Sequence, residues 1–388
     1  MQYVYICNAI SEKLNNELGQ SVAGNKFSLN MAKALDMHCD GMLTFVSTAM
    51  ICPESVKKYG GEIWPGKKMQ FAARGKRFFL SELKLRKSIM QILSQVHKAH
   101  PGEKITVFME NSPFAAATAC VACKKWMDIS CYSVTIDTPF AGNFREVGLR
   151  GRINGWMFRR GIKALRHFDG LISFTKDVKA ELKVKLPFCP LAIGCQPSRI
   201  PEKLPELTTE KTAVYAGTLI YYNGIRELLE AFRILGPEYK LHIYGYGPME
   251  EEVRQAARAH ENIVFHGRFA PEETERVLSQ YELLINPRLI DPGIENFTFP
   301  SKLVDYILMG KSVLSSDFKT LPTSYRDFVY LLEDMKPETL AQGVKCVFAD
   351  TPAERKGKAA MGIQYIKENQ TYDIIAERMV MFTKHKKG

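Results

Sequence analysis

Short apolar runs, each ending in a tight turn and giving way to a helical pattern, recur along this whole chain, and that alternation restricts its fold more than any other feature. In the second half, Val214-Tyr215-Ala216-Gly217-Thr218-Leu219 reads as a buried strand running into a loop, followed by a helix from Gly224 through Phe232. A strand over 241–244 meets the turn Gly245-Tyr246-Gly247-Pro248 and then a polar helix over 249–259. Strand 262–266 ends at Gly267-Arg268, a helix covers 271–280, and the next strand closes at Asn286-Pro287-Arg288. Glycine turns at the carboxyl ends of short apolar strands predict a parallel, doubly wound α/β sheet whose ligands lie outside those ends.

After the strand over 283–286 comes Phe299-Pro300-Ser301-Lys302-Leu303-Val304-Asp305-Tyr306, ending in Gly310-Lys311-Ser312-Val313. Proline with serine beside it is ordinary helix initiation. The same stretch places Lys302 in the first turn of a helix that follows a sheet strand, where first-turn amides and an ammonium suit an anion.

Taken in order, Ala216-Gly217-Thr218, Gly224-Ile225 with Leu229 and Ala231-Phe232, Gly245-Tyr246-Gly247-Pro248, Phe265-His266-Gly267, Pro287-Arg288, Phe299-Pro300-Ser301-Lys302, and Tyr306 with Gly310-Lys311 resemble the donor half of the retaining glycosyltransferases of family 4. Each motif alone is weak, and the series in this spacing is specific. The resemblance implies a GT-B fold: two Rossmann-like doubly wound parallel-sheet domains facing across a cleft. It also implies a nucleoside-diphosphate sugar as donor, whose leaving nucleotide gains charge as the glycosidic bond breaks.

In that pattern Arg288 and Lys302 fall on the diphosphate, a guanidinium fork beside an ammonium point charge. Asp305, about one helical turn after Lys302, falls on the ribose diol, and the backbone around Gly267 and Arg268 on the base. Phe299, Pro300 and Ser301 form the turn that delivers Lys302. The chain departs from the pattern twice. Family members carry cations directly after the glycine of the first strand and before the second glycine, and those places are Thr218, next to Gly217, and Asn223 here. The family's first glutamate at the Phe-Pro turn falls on Phe297 and its second on Asp305, so Glu295, two residues before Phe297, is the substitute candidate for reaching a donor sugar hydroxyl.

The first half repeats the layout, with strands expected over 3–7, 42–46, 105–109, 132–136, 171–173 and 188–193. Helices are expected over 27–35, 81–97, 115–127 and 177–184, with a basic helix ending at Phe168. A glycine loop over 19–26 after the first strand points, through the resemblance, to Gly24 and Asn25 as further donor contacts. Asp137, at the carboxyl end of a strand, sits where a cleft carboxylate orients an acceptor hydroxyl, although an Asp-Thr-Pro sequence also simply turns the chain. At 388 residues the chain exceeds one typical core. The expected division is an acceptor-side domain over 1–196, a linker over 197–211, a nucleotide-sugar domain over 212–370, and a last helix over 371–388 that returns to the first domain.

The charge surplus is one-sided. Residues 1–200 hold 29 Lys and Arg against 15 Asp and Glu, while residues 201–388 hold 24 against 27. Cations cluster over 67–87 and 150–166, interleaved with Phe71, Phe78, Phe79, Trp156, Met157, Phe158 and Phe168. Such segments suit the surface of an anionic bilayer, a solvated basic face is the bland alternative, and no nucleic-acid motif accompanies them. Nine scattered cysteines make no disulfide framework, and Cys120-Val121-Ala122-Cys123 lies in an alanine-rich helical pattern without partner histidines, which argues against a metal site. No run approaches 18 apolar residues and Ser11-Glu12-Lys13 follow the first strand closely, so neither a spanning helix nor a signal peptide is expected.

The expected activity is therefore transfer of a sugar from a nucleoside-diphosphate sugar, UDP-sugar ahead of GDP-sugar, to a hydroxyl of a glycan or lipid-linked glycan, with retained configuration. No cofactor or metal is expected, since the family neutralises the leaving charge with basic side chains and amides. The expected partners are donor, acceptor and an anionic membrane surface, and not nucleic acid, with the chain cytoplasmic and peripheral at the membrane's inner face. Two alternatives stay open at this point: a non-catalytic, membrane-associated sugar-nucleotide-binding subunit, and a nucleotide-sugar 2-epimerase of the same fold.

Overall fold

The structure is a computed structural model and describes residues 1–18, 22–40, 42–49, 61–73, 78–136, 148–290 and 297–384. The chain divides into two compact units. The first comprises Met1–Gly194, Asn296–Thr298 and Tyr372–Gly388, and the second Cys195–Glu295 and Phe299–Thr371.

The first unit is built on an eight-stranded sheet of β1 (Gln2–Cys7), β2 (Leu43–Ser47), β3 (Glu62–Trp64), β4 (Lys67–Phe71), β5 (Ile105–Glu110), β6 (Ile129–Thr135), β7 (Gly170–Ser173) and β8 (Phe188–Pro190). Their order is β3-β4-β2-β1-β5-β6-β7-β8. All neighbours are parallel except the β3–β4 edge pair. Its helices are α1 (Glu12–Leu18), α2 (Val22–His38), α3 (Phe78–Ala99), α4 (Phe114–Cys123), α5 (Leu149–Leu165) and α6 (Val178–Glu181). β1, β5 and β6 are buried along their whole length. That is why these runs read as continuously apolar: a parallel sheet covered on both faces has no solvent side to alternate with.

One sequence expectation needs correction here, and one basic cluster takes a form that the sequence left open. The stretch expected to form a glycine loop over 19–26 is helical from Val22 onward, so Gly24 and Asn25 sit on the opening turns of α2. The Asn25 side chain is the cause. Its Oδ1 accepts from the Ile10 amide at 2.9 Å and its Nδ2 donates to the Ile10 carbonyl at 3.0 Å, which pins the segment after β1 and lets the helix begin early. The first basic cluster, in turn, is partly strand. Lys67–Phe71 pairs with β2, and Lys67 is neutralised by Asp36 at 2.6 Å.

The second unit carries a six-stranded, fully parallel sheet of β9 (Thr212–Thr218), β10 (Lys240–Tyr246), β11 (Ile263–Gly267), β12 (Leu283–Asn286), β13 (Ser312–Ser316) and β14 (Tyr330–Leu332), in the order β11-β10-β9-β12-β13-β14. Its helices are α7 (Ile225–Leu235), α8 (Glu250–Ala259), α9 (Thr274–Leu278), α10 (Lys302–Leu308), α11 (Pro337–Ala349) and α12 (Pro352–Asn369). Sequence reading passed over β14 and α11. Glu282 anchors the segment that leads into this sheet: its carboxylate meets buried Lys311 at 3.2 Å and buried Arg355 at 3.1 Å, and accepts from the Thr208 amide at 3.0 Å. Removing one partner from such a buried cluster leaves an uncompensated charge, which costs about 3–5 kcal/mol.

α12 begins with a capping box, in which the Thr351 hydroxyl accepts from the Glu354 amide and the Glu354 carboxylate accepts from the Thr351 amide at 2.7 Å. The chain breaks at Gln370, and α13 (Tyr372–Lys384) packs on α2 in the first unit, with the Tyr372 ring 6.1 Å from Phe27 and the Phe382 ring 5.6 Å from Tyr132. The eight described cysteines are free, and only Cys346 among them is exposed. Among the described residues no helix is long and apolar enough to cross a membrane.

Candidate active site

In the second sheet the chain winds outward from β9 through β10 to β11 and then returns to start again at β12, so β9 and β12 flank the switch point where a parallel sheet opens a crevice at its carboxyl end. β9 ends in Gly217 and Thr218, and Arg288 lies two residues beyond the end of β12. The loops after these strands are drawn together by Gly224. Its φ of +68° is left-handed, and a Cβ there would lie 1.9 Å from the Pro287 carbonyl oxygen, so only glycine fits.

α10 brings Lys302 into this place. Buried Pro300 accepts a hydrogen bond from the Leu303 amide at 2.8 Å, and the turn so formed starts the helix at Lys302. Leu303, Val304, Tyr306, Ile307 and Leu308 go into the core. Lys302 and Asp305, three positions apart, share a helix face. The Lys302 Nζ donates to the Ala216 carbonyl at 2.9 Å and lies 5.2 Å from the centre of the Tyr215 ring. Tyr306 donates to the same carbonyl at 3.3 Å. Gly217 makes room, since a Cβ at that position would stand 1.8 Å from the ammonium.

The electrostatics are unusual for a lysine. Burial pushes Lys302 down to about 8, the positive charge of Arg288 pushes the same way, and Asp305 opposes them. Asp305 is itself engaged, 2.5 Å from Nη1 of Arg199. Lys302 is thus a poorly hydrated cation that feels a second cation, and the carboxylate that opposes both is shared with a third. An anion is the ligand that such a group of charges stabilises.

A cavity of about 310 Å³ opens over Lys302 and Asp305, lined among others by Gly217, Thr218, Tyr246 and Arg268, whereas Arg288 is not among the residues that line it. At its far side the Arg268 guanidinium lies 3.6 Å above the Tyr246 ring, a cation–π stack on the exposed end of β10. Tyr244 and Phe269 also line it, their rings 5.2 Å apart and edge to face. It is therefore cationic at one end and aromatic at the other.

Of the residues singled out from sequence, Gly217, Thr218, Arg268, Lys302 and Asp305 meet in this cavity. Gly267 closes β11 with a left-handed φ of +76°, which turns the chain into Arg268. Asn223 does not line the cavity; its amide donates to the Thr218 carbonyl at 2.7 Å and fixes the loop where family members carry a cation. Phe299 is buried, its ring edge-on to Tyr325 at 6.3 Å, so it supports the turn from inside the core. Ser301 is exposed and makes no side-chain cap. Gly24 and Asn25 belong to the first unit. Asp137 and Glu295 lie outside the described residues.

Sequence reasoning missed Arg199, whose segment has no periodicity to betray it, and the aromatic partners Tyr215, Tyr246 and Phe269. It also missed Glu110, at the end of β5, beside the first unit's own switch point between β1 and β5. Burial raises this carboxyl to about 7, against the hydrogen bonds donated to it by Tyr5 and, at 2.7 Å, by Ser28. The available signal was a glutamate closing an otherwise apolar strand.

Residues 210–350 match the family model of glycosyl transferases group 1. That match supports a glycosyltransferase, and the matched stretch contains the whole cavity just described. No curated protein matches the sequence. Among solved structures, the chain is similar to Alr3699/HepE of Anabaena in complex with UDP, at 11% identity and a TM-score of 0.66, covering 99% of this chain and 100% of that one. It is similar to the N-terminal domain of trehalose-6-phosphate phosphatase of Candida albicans, at 10% identity and a TM-score of 0.71, covering 100% and 97%. It is similar also to a mutant of TarM from S. aureus in complex with fondaparinux, alpha-GlcNAc-glycerol and UDP, at 13% identity and a TM-score of 0.52, covering 78% of this chain and 59% of that longer one. With its two parallel-sheet units, the chain has the GT-B fold of glycosyltransferases.

Proposed function

We propose that this chain transfers a sugar from a nucleoside-diphosphate sugar to a hydroxyl of a glycan or lipid-linked glycan, retaining the anomeric configuration as family-4 enzymes do. One observation carries the reading: Lys302, desolvated at the switch point and pushed down further by the charge of Arg288, suits an anion, and the cavity it lines offers an aromatic end where a base would stack. The diphosphate would lie on Lys302 and Arg288, the ribose near Asp305, and the base by Arg268 and Tyr246. As the bond from the sugar to the diphosphate breaks, charge grows on the phosphate next to the two cations, which stabilise the leaving nucleotide without calling on a metal ion. On the retaining path the acceptor oxygen bonds to the sugar on the face the phosphate leaves, and that phosphate takes the hydroxyl proton.

UDP is the favoured nucleotide, supported by its presence in the HepE and TarM structures. Asp137 and Glu295 remain the proposed acceptor-side and sugar-side carboxylates, and the basic surplus of residues 1–200 favours a cytoplasmic chain held at an anionic membrane surface. The test is thermal shift of the whole chain with UDP, GDP, ADP and dTDP. UDP should raise the melting temperature most, and equal indifference to all four nucleotides would remove the donor assignment.

A further inference from the structure

On the first unit, α3, α4 and α5 enclose a groove of about 360 Å³ that the proposed reaction does not use. Its apolar wall is Leu83, Phe114, Val121, Ala164 and Trp156, and its polar edge carries the cations Arg86, Arg160 and Lys163 with the His167 imidazole. Among the described residues lining it none is acidic. Trp156 stands 40% exposed on the rim, 5.7 Å from the Phe114 ring, with the Arg160 guanidinium 5.4 Å from its own ring centre. The 17 residues of α5 include five Lys and Arg and no carboxylate. Gly161 lets α5 close against the start of α4, where a Cβ would touch the Phe114 Cα at 3.4 Å.

Some cations of this protein are paired with a carboxylate, as Lys67 is with Asp36, Lys124 with Asp169 and Lys211 with Glu238. Here Arg86, Arg160 and Lys163 edge an open apolar groove with no carboxylate among the residues that line it. A free phosphate satisfies the charges and leaves Trp156, Phe114 and Leu83 in water. A nucleic acid would meet a single exposed ring where base stacking needs a platform. A phosphodiester carrying an acyl chain matches both halves at once, its phosphate among the cations and its first carbons on the apolar wall.

We propose that this groove seats the headgroup of an anionic membrane phospholipid, with Arg86, Arg160 and Lys163 on the phosphate and Trp156 at the bilayer boundary. The inference rests on the membrane-surface reading above and gives it a defined site: contact is concentrated at one groove instead of spread over the basic face.

The experiment compares full-length protein, an Arg86→Gln/Arg160→Gln/Lys163→Gln variant and a control with the same charge loss at exposed positions outside the groove, Lys68→Gln/Lys98→Gln/Lys125→Gln. Each is sedimented with vesicles of phosphatidylcholine alone and with 30% phosphatidylglycerol (a fraction of about one in three, chosen for a surface potential at which each cation counts). The groove variant should lose about 100-fold in partitioning at low salt, and the control less than about tenfold. Trp156→Ala should weaken binding further in the groove's apolar half, and unchanged stabilisation by UDP verifies that every variant folds. Equal losses in groove and control variants would overturn the groove while leaving diffuse membrane attraction standing. No binding of the unmodified protein to the anionic vesicles would overturn both, and so would displacement of the protein from them by a single-stranded oligonucleotide at sub-stoichiometric amounts.

Discussion

The two units handle positive charge in opposite ways. Residues 1–200 hold nearly twice as many Lys and Arg as Asp and Glu, and most described cations of α5 stand exposed; residues 201–388 are slightly acidic, yet they contain a lysine pushed down to about 8. Exposed cations in numbers attract weakly, at range, and are screened by salt over roughly 8–10 Å. A few desolvated cations act at contact and are screened far less. Net charge therefore marks the surface a partner approaches, and desolvation marks where a ligand is held. The contrast predicts that salt will govern what the first unit binds, and pH what the second unit binds.

The strongest challenge to the contrast is Lys302→Met, which keeps the volume and removes the charge. Losing one partner of a buried charge pair costs about 3 kcal/mol, so calorimetry with UDP should show affinity lower by roughly 100-fold. Stability should move the other way. A lysine whose folded pKa lies below its unfolded value destabilises the free protein at neutral pH, where it must stay charged, so the unliganded melting temperature should hold or rise. A melting temperature that falls together with the affinity would make Lys302 a structural tie to the Ala216 carbonyl instead of an anion site.

The pH dependence follows in size. UDP binds the ammonium form of Lys302, and a bound diphosphate raises its pKa above the free value of about 8. Affinity should then be flat below that pH and fall roughly tenfold per unit above it, until the pKa of the complex is reached. Stability of the free protein changes in the opposite sense, increasing as pH rises from about 8 toward the unfolded lysine value. Vesicle binding by the first unit should be nearly level over the same range and fall with salt instead. If both activities follow salt alone, the two units do not differ in the way described.

Much of this was legible in the sequence, and the exceptions have physical reasons. The strand over 283–286, the boundary at Gln370 before the last helix and the switch-point residues were legible locally, the strand from its apolar run and Gly217 from the turn that ends the strand before it. Gly217 and Lys302 could be ordered along the chain, but their contact spans 85 positions and exists only after folding. The segment around Gly24 read as a loop because glycine, serine and asparagine dominate it, whereas the deciding interaction is Asn25 reaching back to Ile10. Arg199 was invisible for a similar reason, since its partner Asp305 lies 106 residues away. Desolvation is likewise a property of the packed protein. Composition gave the first unit's surplus directly and said nothing of the desolvated Lys302 in the second.

The smallest effect separates two roles for Asp305. It holds up the pKa of Lys302 against burial and Arg288, and it also pairs with Arg199, so a carboxylate near a ribose and a carboxylate that tunes a lysine predict different phenotypes. Asp305→Asn keeps the shape and a hydrogen-bonding group for the diol. If tuning dominates, Lys302 drops further, and the pH at which UDP affinity begins to fall should move down while affinity well below it changes little. If ribose contact dominates, affinity should fall a few-fold at every pH with the onset unmoved, the loss expected for one charge-assisted hydrogen bond of about 1.5 kcal/mol or less. Repeating the titration with a 2′,3′-dideoxy nucleoside diphosphate decides it: under the ribose reading the substitution costs nothing further in the absence of the diol, and under the tuning reading the shift in onset persists.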